Sequence, residues 1–252
     1  MSVDSNAPVA PFGTRSSPRV APPSLGKRIF GAFLRGFFTF YYQYARFLTW
    51  LMPRITIEGK KLHIPSRVYK PLENEQRFRE YVKPGERVCD LGCGSGVITV
   101  FVAPVASEVV ALDIGEHAVE ATKRNCAAHG ITNVVIEKSD MFEKASGDFD
   151  VICANPPFVE IPMKGEDAQW ATSVTYLDRL FAEGGKRLKP GGRIVALYPR
   201  SKQKRLEEFA AKEGFVLVAT KSVRPKSLKL WLICALYMEL LFAAQFHVFE
   251  RR

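Results

Sequence analysis

No acidic residue occurs between Ser5 and Ile57, although the 252-residue chain carries 26 Asp and Glu in all. That stretch therefore cannot balance its own Lys and Arg. The five cysteines are odd in number and scattered, with no Cys-x-x-Cys pair, and the four histidines are dispersed. This excludes a zinc-type ligand set and a disulfide framework, so no metal is expected. Within residues 27–52 the longest uncharged run, between Arg35 and Arg46, is too short for the ~20 residues that cross a bilayer. Internal repeats are absent.

The net charge of +10 is unevenly spread. Residues 1–62 hold nine Lys/Arg against two acids (+7), residues 63–184 twelve against nineteen (−7), and residues 185–229 thirteen against three (+10). Basic flanks around an acidic middle suggest an anionic partner such as RNA, DNA or a lipid surface.

Residues 1–26 are rich in Pro, Ser, Ala and Val without periodicity, which predicts a disordered leader. They lack the layout of a secretory signal, and their prolines argue against a transit peptide. Residues 27–62 read as an amphipathic helical extension crowded with aromatics from Phe30 to Trp50. Arg28, Arg35, Thr39 and Arg46 share one stripe at helical pitch. Two readings stay open: a helix lying in a membrane interface through residues 27–52, or a helix capping the following domain.

Residues 63–252 read as one α/β domain. Strands are predicted at Arg87–Asp90, Glu108–Asp113, Asn133–Lys138, Phe149–Ala154, Gly192–Tyr198 and Phe215–Ser222. Helices are predicted near 72–82, 97–105, 115–129, 172–188 and 201–213. The alternation predicts a doubly wound, mostly parallel sheet with helices on both faces. Leu228 to Phe246 predicts an apolar helical insert that lines a substrate cleft, packs on the aromatic N-terminal helix or touches a membrane, with a buried structural role leading, ahead of a closing antiparallel strand over 245–252.

The chemistry lies at strand ends. Asp90-Leu91-Gly92-Cys93-Gly94-Ser95-Gly96 joins a strand to a helix, and its alternate glycines let backbone approach a ligand closely. A dinucleotide fingerprint needs a third glycine where Val97 stands. Asp90 would repel a pyrophosphate and welcome a sulfonium and an amino group, which favours S-adenosylmethionine. Asp113 ends the next strand, where it can accept ribose hydroxyls. Asp140 can accept from an adenine amine, with Ile114 or Met141 against the ring. Asn155-Pro156-Pro157-Phe158 follows a further strand. The Asn155 side-chain oxygen and the Pro156 carbonyl can hold one planar –NH2, and Phe158 offers a stacking face.

In this order and spacing, Asp90–Gly96, Asp113, Asp140 and Asn155–Phe158 resemble the seven-stranded S-adenosylmethionine-dependent methyltransferases, over about residues 65–225. The N-P-P-F tetrad is similar to that of members modifying adenine N6, guanine N2 or a glutamine amide. Arg67-Val68-Tyr69-Lys70-Pro71-Leu72-Glu73-Asn74 resembles the V-Y-x-P-x-E-D opening of release-factor glutamine methyltransferases, with Asn74 where Asp is usual. The resemblance implies a Rossmann-like fold. It also implies cofactor contacts at Asp90, Gly92, Cys93, Gly94, Gly96, Asp113, Ile114, Asp140, Met141 and Asn155, with Asn155, Pro156, Pro157 and Phe158 at the substrate nitrogen. A protein glutamine amide is the leading acceptor. A nucleic-acid amine, with Lys186–Lys229 as phosphate-binding surface, and a small hydrophobic or membrane-associated molecule are alternatives, as is a binding protein without catalysis. The expected location is cytoplasmic, with peripheral membrane contact open. A loop over 159–171, containing Trp170, is expected to cover the substrate.

Overall fold

The computed structural model describes residues 25–71, 74–158, 175–223, 228–236 and 243–252. Most of the leader, the loop 159–171 and part of the apolar insert lie outside the described residues. The chain divides into two compact units, Met1–Phe37 and Phe38–Arg252.

The sheet is built from strands β3 (Arg87–Leu91), β4 (Glu108–Asp113), β5 (Val134–Lys138), β6 (Phe149–Ala154), β7 (Leu188–Pro199), β8 (Phe215–Ser222) and β9 (Ala244–Arg251). Its seven strands run in the order β5-β4-β3-β6-β7-β9-β8. The first five are parallel, and β9 inserts antiparallel between β7 and β8. The predicted doubly wound sheet and its antiparallel closing strand are both present.

Alternation along each strand feeds two cores, because successive side chains point to opposite faces. Cys89, Leu91, Val110, Leu112, Ile152, Ala154, Ile194 and Ala196 pack with Leu180 and Phe181 of α4 (Tyr176–Gly184) and with Leu206 and Phe209 of α5 (Gln203–Lys212). Val88, Val109, Val151, Cys153, Val195 and Leu197 pack with Phe78, Ile98 and Val102. Ile98 and Val102 belong to α2 (Val97–Val102). Phe78 lies in a 3-10 helix, Glu75–Tyr81, where an α-helix over 72–82 was expected.

The N-terminal helix α1 (Leu25–Leu51) ends well before residue 62. Arg54–Ile57 (β1) and Lys60–His63 (β2) form an antiparallel hairpin instead. Ile57, Leu62 and Ile64 are buried against Val97, Val100 and Phe101 of α2 and against Ala118 and Ala121 of α3 (Glu116–Ala128). The hairpin is thus part of the core rather than of a helical extension. Lys70 secures the junction by donating from Nζ to the carbonyls of Met52 and Arg54.

Handedness of connection places the site. β3 has β4 on one side and β6 on the other, so the winding reverses there and a crevice opens beyond the carboxyl ends. Register makes those ends level: Leu91 pairs with both Leu112 and Ala154, and Asp113 pairs with Lys138. The residues that follow, Gly92, Asp113, Ser139 and Asn155, therefore gather at one edge.

Candidate active site

A cleft at that edge is lined by Gly92, Cys93, Gly94, Asp113, Ile114, Asp140, Met141, Asn155, Pro156, Pro157 and Phe158. Val68, Tyr69, Pro71, Asn74 and Glu75 close it on one side, and Tyr176, Arg179, Tyr198 and Pro199 on another.

Two of the expected cofactor residues stand elsewhere. Gly96 is not among the lining residues of the cleft. A Cβ there would lie 2.9 Å from Thr122 Cγ2 and 3.0 Å from Thr122 Cα, at a φ of +76°. Its missing side chain lets α2 start hard against α3. Asp90 is also absent from the lining and is fully buried. Its Oδ2 accepts from the Thr99 amide at 3.0 Å and the Thr99 hydroxyl at 2.6 Å, so it secures the first turn of α2 from beneath. Asp90 sits one residue below the strand end, and pleating turns it under the loop. Oδ1 is left buried without a hydrogen-bond partner. Burial pushes the carboxyl up to about 7, against the Thr99 bonds and with some repulsion from Asp113.

The glycine turn spends its amides internally. Gly92 and Cys93 donate to the Leu112 carbonyl at 2.8 and 3.0 Å, Gly96 to the Cys93 carbonyl at 2.8 Å, and Gly94 to Asp113 Oδ2 at 2.9 Å. A phosphate binds by recruiting such amides. Here they already serve the chain's own oxygens, so the turn suits a ligand that packs on backbone rather than an anion. Gly92 and Gly94 hold φ of +73° and +55°, which side chains resist.

Asp113 Oδ1 accepts from the Gly115 amide at 2.8 Å, an Asx turn that fixes the carboxylate at the tip of β4. Asp140, expected to meet an adenine amine, is joined by Arg179 Nη1 at 2.5 Å on Oδ1. Arg179 also donates to Glu183 at 2.5 Å. Met141 adopts a φ of +50°, uncommon for a side-chain residue, and lines the cleft between Asp140 and the core. Cys93 Sγ accepts from the Thr122 hydroxyl at 3.3 Å, and burial holds its thiol protonated. Glycine backbone, an acid at the β4 tip, apolar Ile114 and Met141, and Asp140 together match an adenosine-bearing ligand.

Asn155 donates from Nδ2 to Glu75 Oε1 at 3.3 Å. Glu75 is buried, and its Oε2 accepts from the Asn74 amide at 3.1 Å. This pairing fixes which end of the Asn155 amide turns away from the 3-10 helix: the acceptor Oδ1. Pro156 is buried, while Phe158 is partly buried and its carbonyl accepts from Lys202 Nζ at 2.5 Å. Tyr176 donates to the Leu91 carbonyl at 2.9 Å and approaches Gly92. Glu75, Tyr176, Arg179 and Lys202 escape sequence reasoning. Only Glu75, an acid directly after the V-Y-x-P segment, carries a signal that could have found it.

The Methyltransferase small domain family matches residues 76–217, and the chain belongs to this family. Its fold is that of the S-adenosylmethionine-dependent methyltransferases. A ribosomal RNA small subunit methyltransferase C of Chromohalobacter salexigens is 35% identical over 131 residues, covering 50% of this chain and 37% of that one. A Methanocaldococcus jannaschii protein, provisionally named as a protein N5-glutamine methyltransferase, is 31% identical over 157 residues, covering 57% of this chain and 78% of its own. A 16S rRNA N2 methyltransferase of T. thermophilus, solved with AdoMet and guanosine, superposes with a TM-score of 0.52 at 19% identity, covering 79% of this chain and 50% of that one. The chain thus spans only about a third of the first relative and most of the second.

Asp113→Ala is expected to weaken S-adenosylmethionine binding at least ~tenfold, about 1.4 kcal/mol. It is also expected to lower stability by about 1–3 kcal/mol as the Gly94 and Gly115 amides lose their acceptor. Calorimetry giving wild-type affinity would place the ribose on other groups.

Proposed function

We propose that this protein transfers a methyl group from S-adenosylmethionine to a planar nitrogen, and that the acceptor is a protein glutamine amide. The observation that carries this reading is the Asn155–Glu75 hydrogen bond beside the glycine turn. A side-chain amide rotates freely between donor and acceptor faces unless something holds it. With Nδ2 bound to Glu75, Oδ1 and the Pro156 carbonyl present two acceptors to one –NH2.

When bound, the cofactor supplies an electrophilic methyl carbon on a sulfonium. The residues do the rest by positioning. An amide nitrogen is a weak nucleophile because its lone pair is delocalised. Two acceptors align it with the methyl, and Phe158 offers the face on which the flat group rests. Transfer would form the nitrogen–carbon bond at the expense of the methyl–sulfur bond, whose electron pair would stay on sulfur. Nitrogen becomes cationic, and Asn155 and Pro156 oxygens stabilise that charge where it develops. The proton then leaves to water. No strong base is required before attack.

Glutamine is favoured over other planar nitrogens by the V-Y-x-P wall, Val68, Tyr69 and Pro71, which lines the cleft, and by a relative of that name, 78% of which the match covers. A second reading, an exocyclic guanine amine in RNA, rests on the basic Arg200, Lys202, Lys204 and Arg205 directly after the cleft residues Tyr198 and Pro199. It also draws on the rRNA methyltransferase relative.

Tritiated S-adenosylmethionine, purified protein and separated protein and RNA fractions test the proposal. Label is expected in the protein fraction, on glutamine side chains after digestion. Label confined to RNA would replace glutamine by the second reading. No label in either fraction, with cofactor binding intact, would remove the transfer reaction.

A further inference from the structure

Two helices with no residue among those lining the cleft leave apolar side chains in solvent. In the second unit, α1 buries Tyr41, Tyr42, Ala45, Leu48 and Thr49. That face satisfies its packing needs. The opposite face still carries Phe40 at 65%, Phe47 at 57% and Trp50 at 66% exposure. Phe40 stacks on Tyr44 and Phe47 on Trp50 with centroids 6.1 and 6.0 Å apart, so the aromatics form a surface rather than isolated side chains.

Helix α6 (Leu228–Leu236) repeats the pattern. Leu228, Trp231, Leu232 and Leu236 are exposed and fall at spacings of three, one and four, a single helical stripe. None of them lines the cleft, although a buried structural role was expected for this helix. Tyr44 donates from its hydroxyl to the Leu236 carbonyl at 3.0 Å, which brings the last residue of α6 to α1. The first unit, described by itself, leaves Leu25, Ile29, Phe30, Phe33 and Phe37 exposed along its part of α1.

We infer that α6 and the part of α1 within the second unit form a docking surface for an anionic lipid bilayer, which they enter from the side without crossing. Charge decides the occupant. Seven Lys and Arg lie between Ser5 and Ile57 with no acid among them. A second copy related by a two-fold axis would set this cationic segment against itself. Anionic headgroups complement it, while the exposed Trp50 and Trp231 suit the boundary between headgroup and acyl chain. Among the described residues no helix is long and apolar enough to cross a membrane. The surface is independent of the acceptor assigned above.

The full chain is sedimented with vesicles of phosphatidylcholine alone and of phosphatidylcholine with phosphatidylglycerol. Anionic vesicles are expected to take up at least ~tenfold more protein, and about 1 M salt to reduce the difference. The pairs Phe47→Ser with Trp50→Ser, and Trp231→Ser with Leu232→Ser, are each expected to reduce uptake about tenfold. Cofactor affinity stays at the wild-type value in both, because neither pair touches the cleft. Wild-type protein remaining in the supernatant with both vesicle types would overturn the inference. So would uptake unaffected by either pair, or a dimer that these substitutions dissolve without any vesicle uptake. The vesicle comparison on unsubstituted protein stands even if a substituted chain is poorly folded.

Discussion

Asn155→Ala is expected to lower turnover by at least about two orders of magnitude, or about 3 kcal/mol of transition-state stabilisation. S-adenosylmethionine affinity should change little, because the glycine turn and Asp113 are untouched. The size follows from what the side chain does. Removing one preorganised acceptor from a developing charge in a sheltered site typically takes away this much. The loss should appear in kcat rather than in KM, since the interaction strengthens only as nitrogen becomes cationic. Glu75→Ala is expected to give a smaller loss of the same kind, because the Asn155 amide would still be present but free to turn. A single-turnover measurement separates chemistry from release. A wild-type rate for Asn155→Ala would remove the proposed mechanism, whatever the acceptor.

The sheet was legible because its strands are short apolar runs between polar punctuation. Glu108–Asp113, Phe149–Ala154 and Phe215–Ser222 are found where the sequence puts them. The hairpin at 54–63 was not. A two-residue loop joins its strands, with Ile57 paired to Lys60, and both Glu58 and Gly59 take positive φ of 47° and 81°. That conformation normally advertises itself as Asn-Gly or Asp-Gly. Glu58 in the first place hides it, and the preceding aromatic helix lends its periodicity to the reading. β7 begins at Leu188 rather than Gly192 because Lys189-Pro190-Gly191 reads as a turn, yet Phe149 pairs with Leu188 before a bulge restores register. At the site, position was legible and orientation was not. Sequence places Asp90 beside the glycines but not beneath them. Sequence places Asn155 at the cleft, but only tertiary structure brings Glu75, 80 residues earlier, to its amide.

Stability should carry the signature of buried Asp90. The carboxyl ionises near 3.8 in an unfolded chain and is pushed to about 7 in the folded one. Between those values the folded protein holds a proton that the unfolded chain has lost. The contribution of Asp90 therefore falls as pH rises from about 4 to about 7, and is level above that. At 1.36 kcal/mol per unit, the gap from 3.8 to about 7 corresponds to about 4 kcal/mol. Other carboxylates act in the opposite sense. The Arg77 and Lys221 partners hold Glu80 down near 2, and Asp150 is lowered by Lys189, so both favour folding once ionised and lose that benefit in acid. The net curve mixes the two, and a difference measurement separates them. Asn in place of Asp90 keeps an oxygen for both Thr99 donors and cannot ionise. Denaturant melts of wild type and Asp90→Asn at pH 4.5 and 8 should show the variant gaining several kcal/mol relative to wild type at the higher pH, as an order of magnitude. Parallel curves would mean that the carboxylate is solvated in the folded chain. Asp90 would then reach the cleft, and a direct contact with the cofactor's cationic end would return.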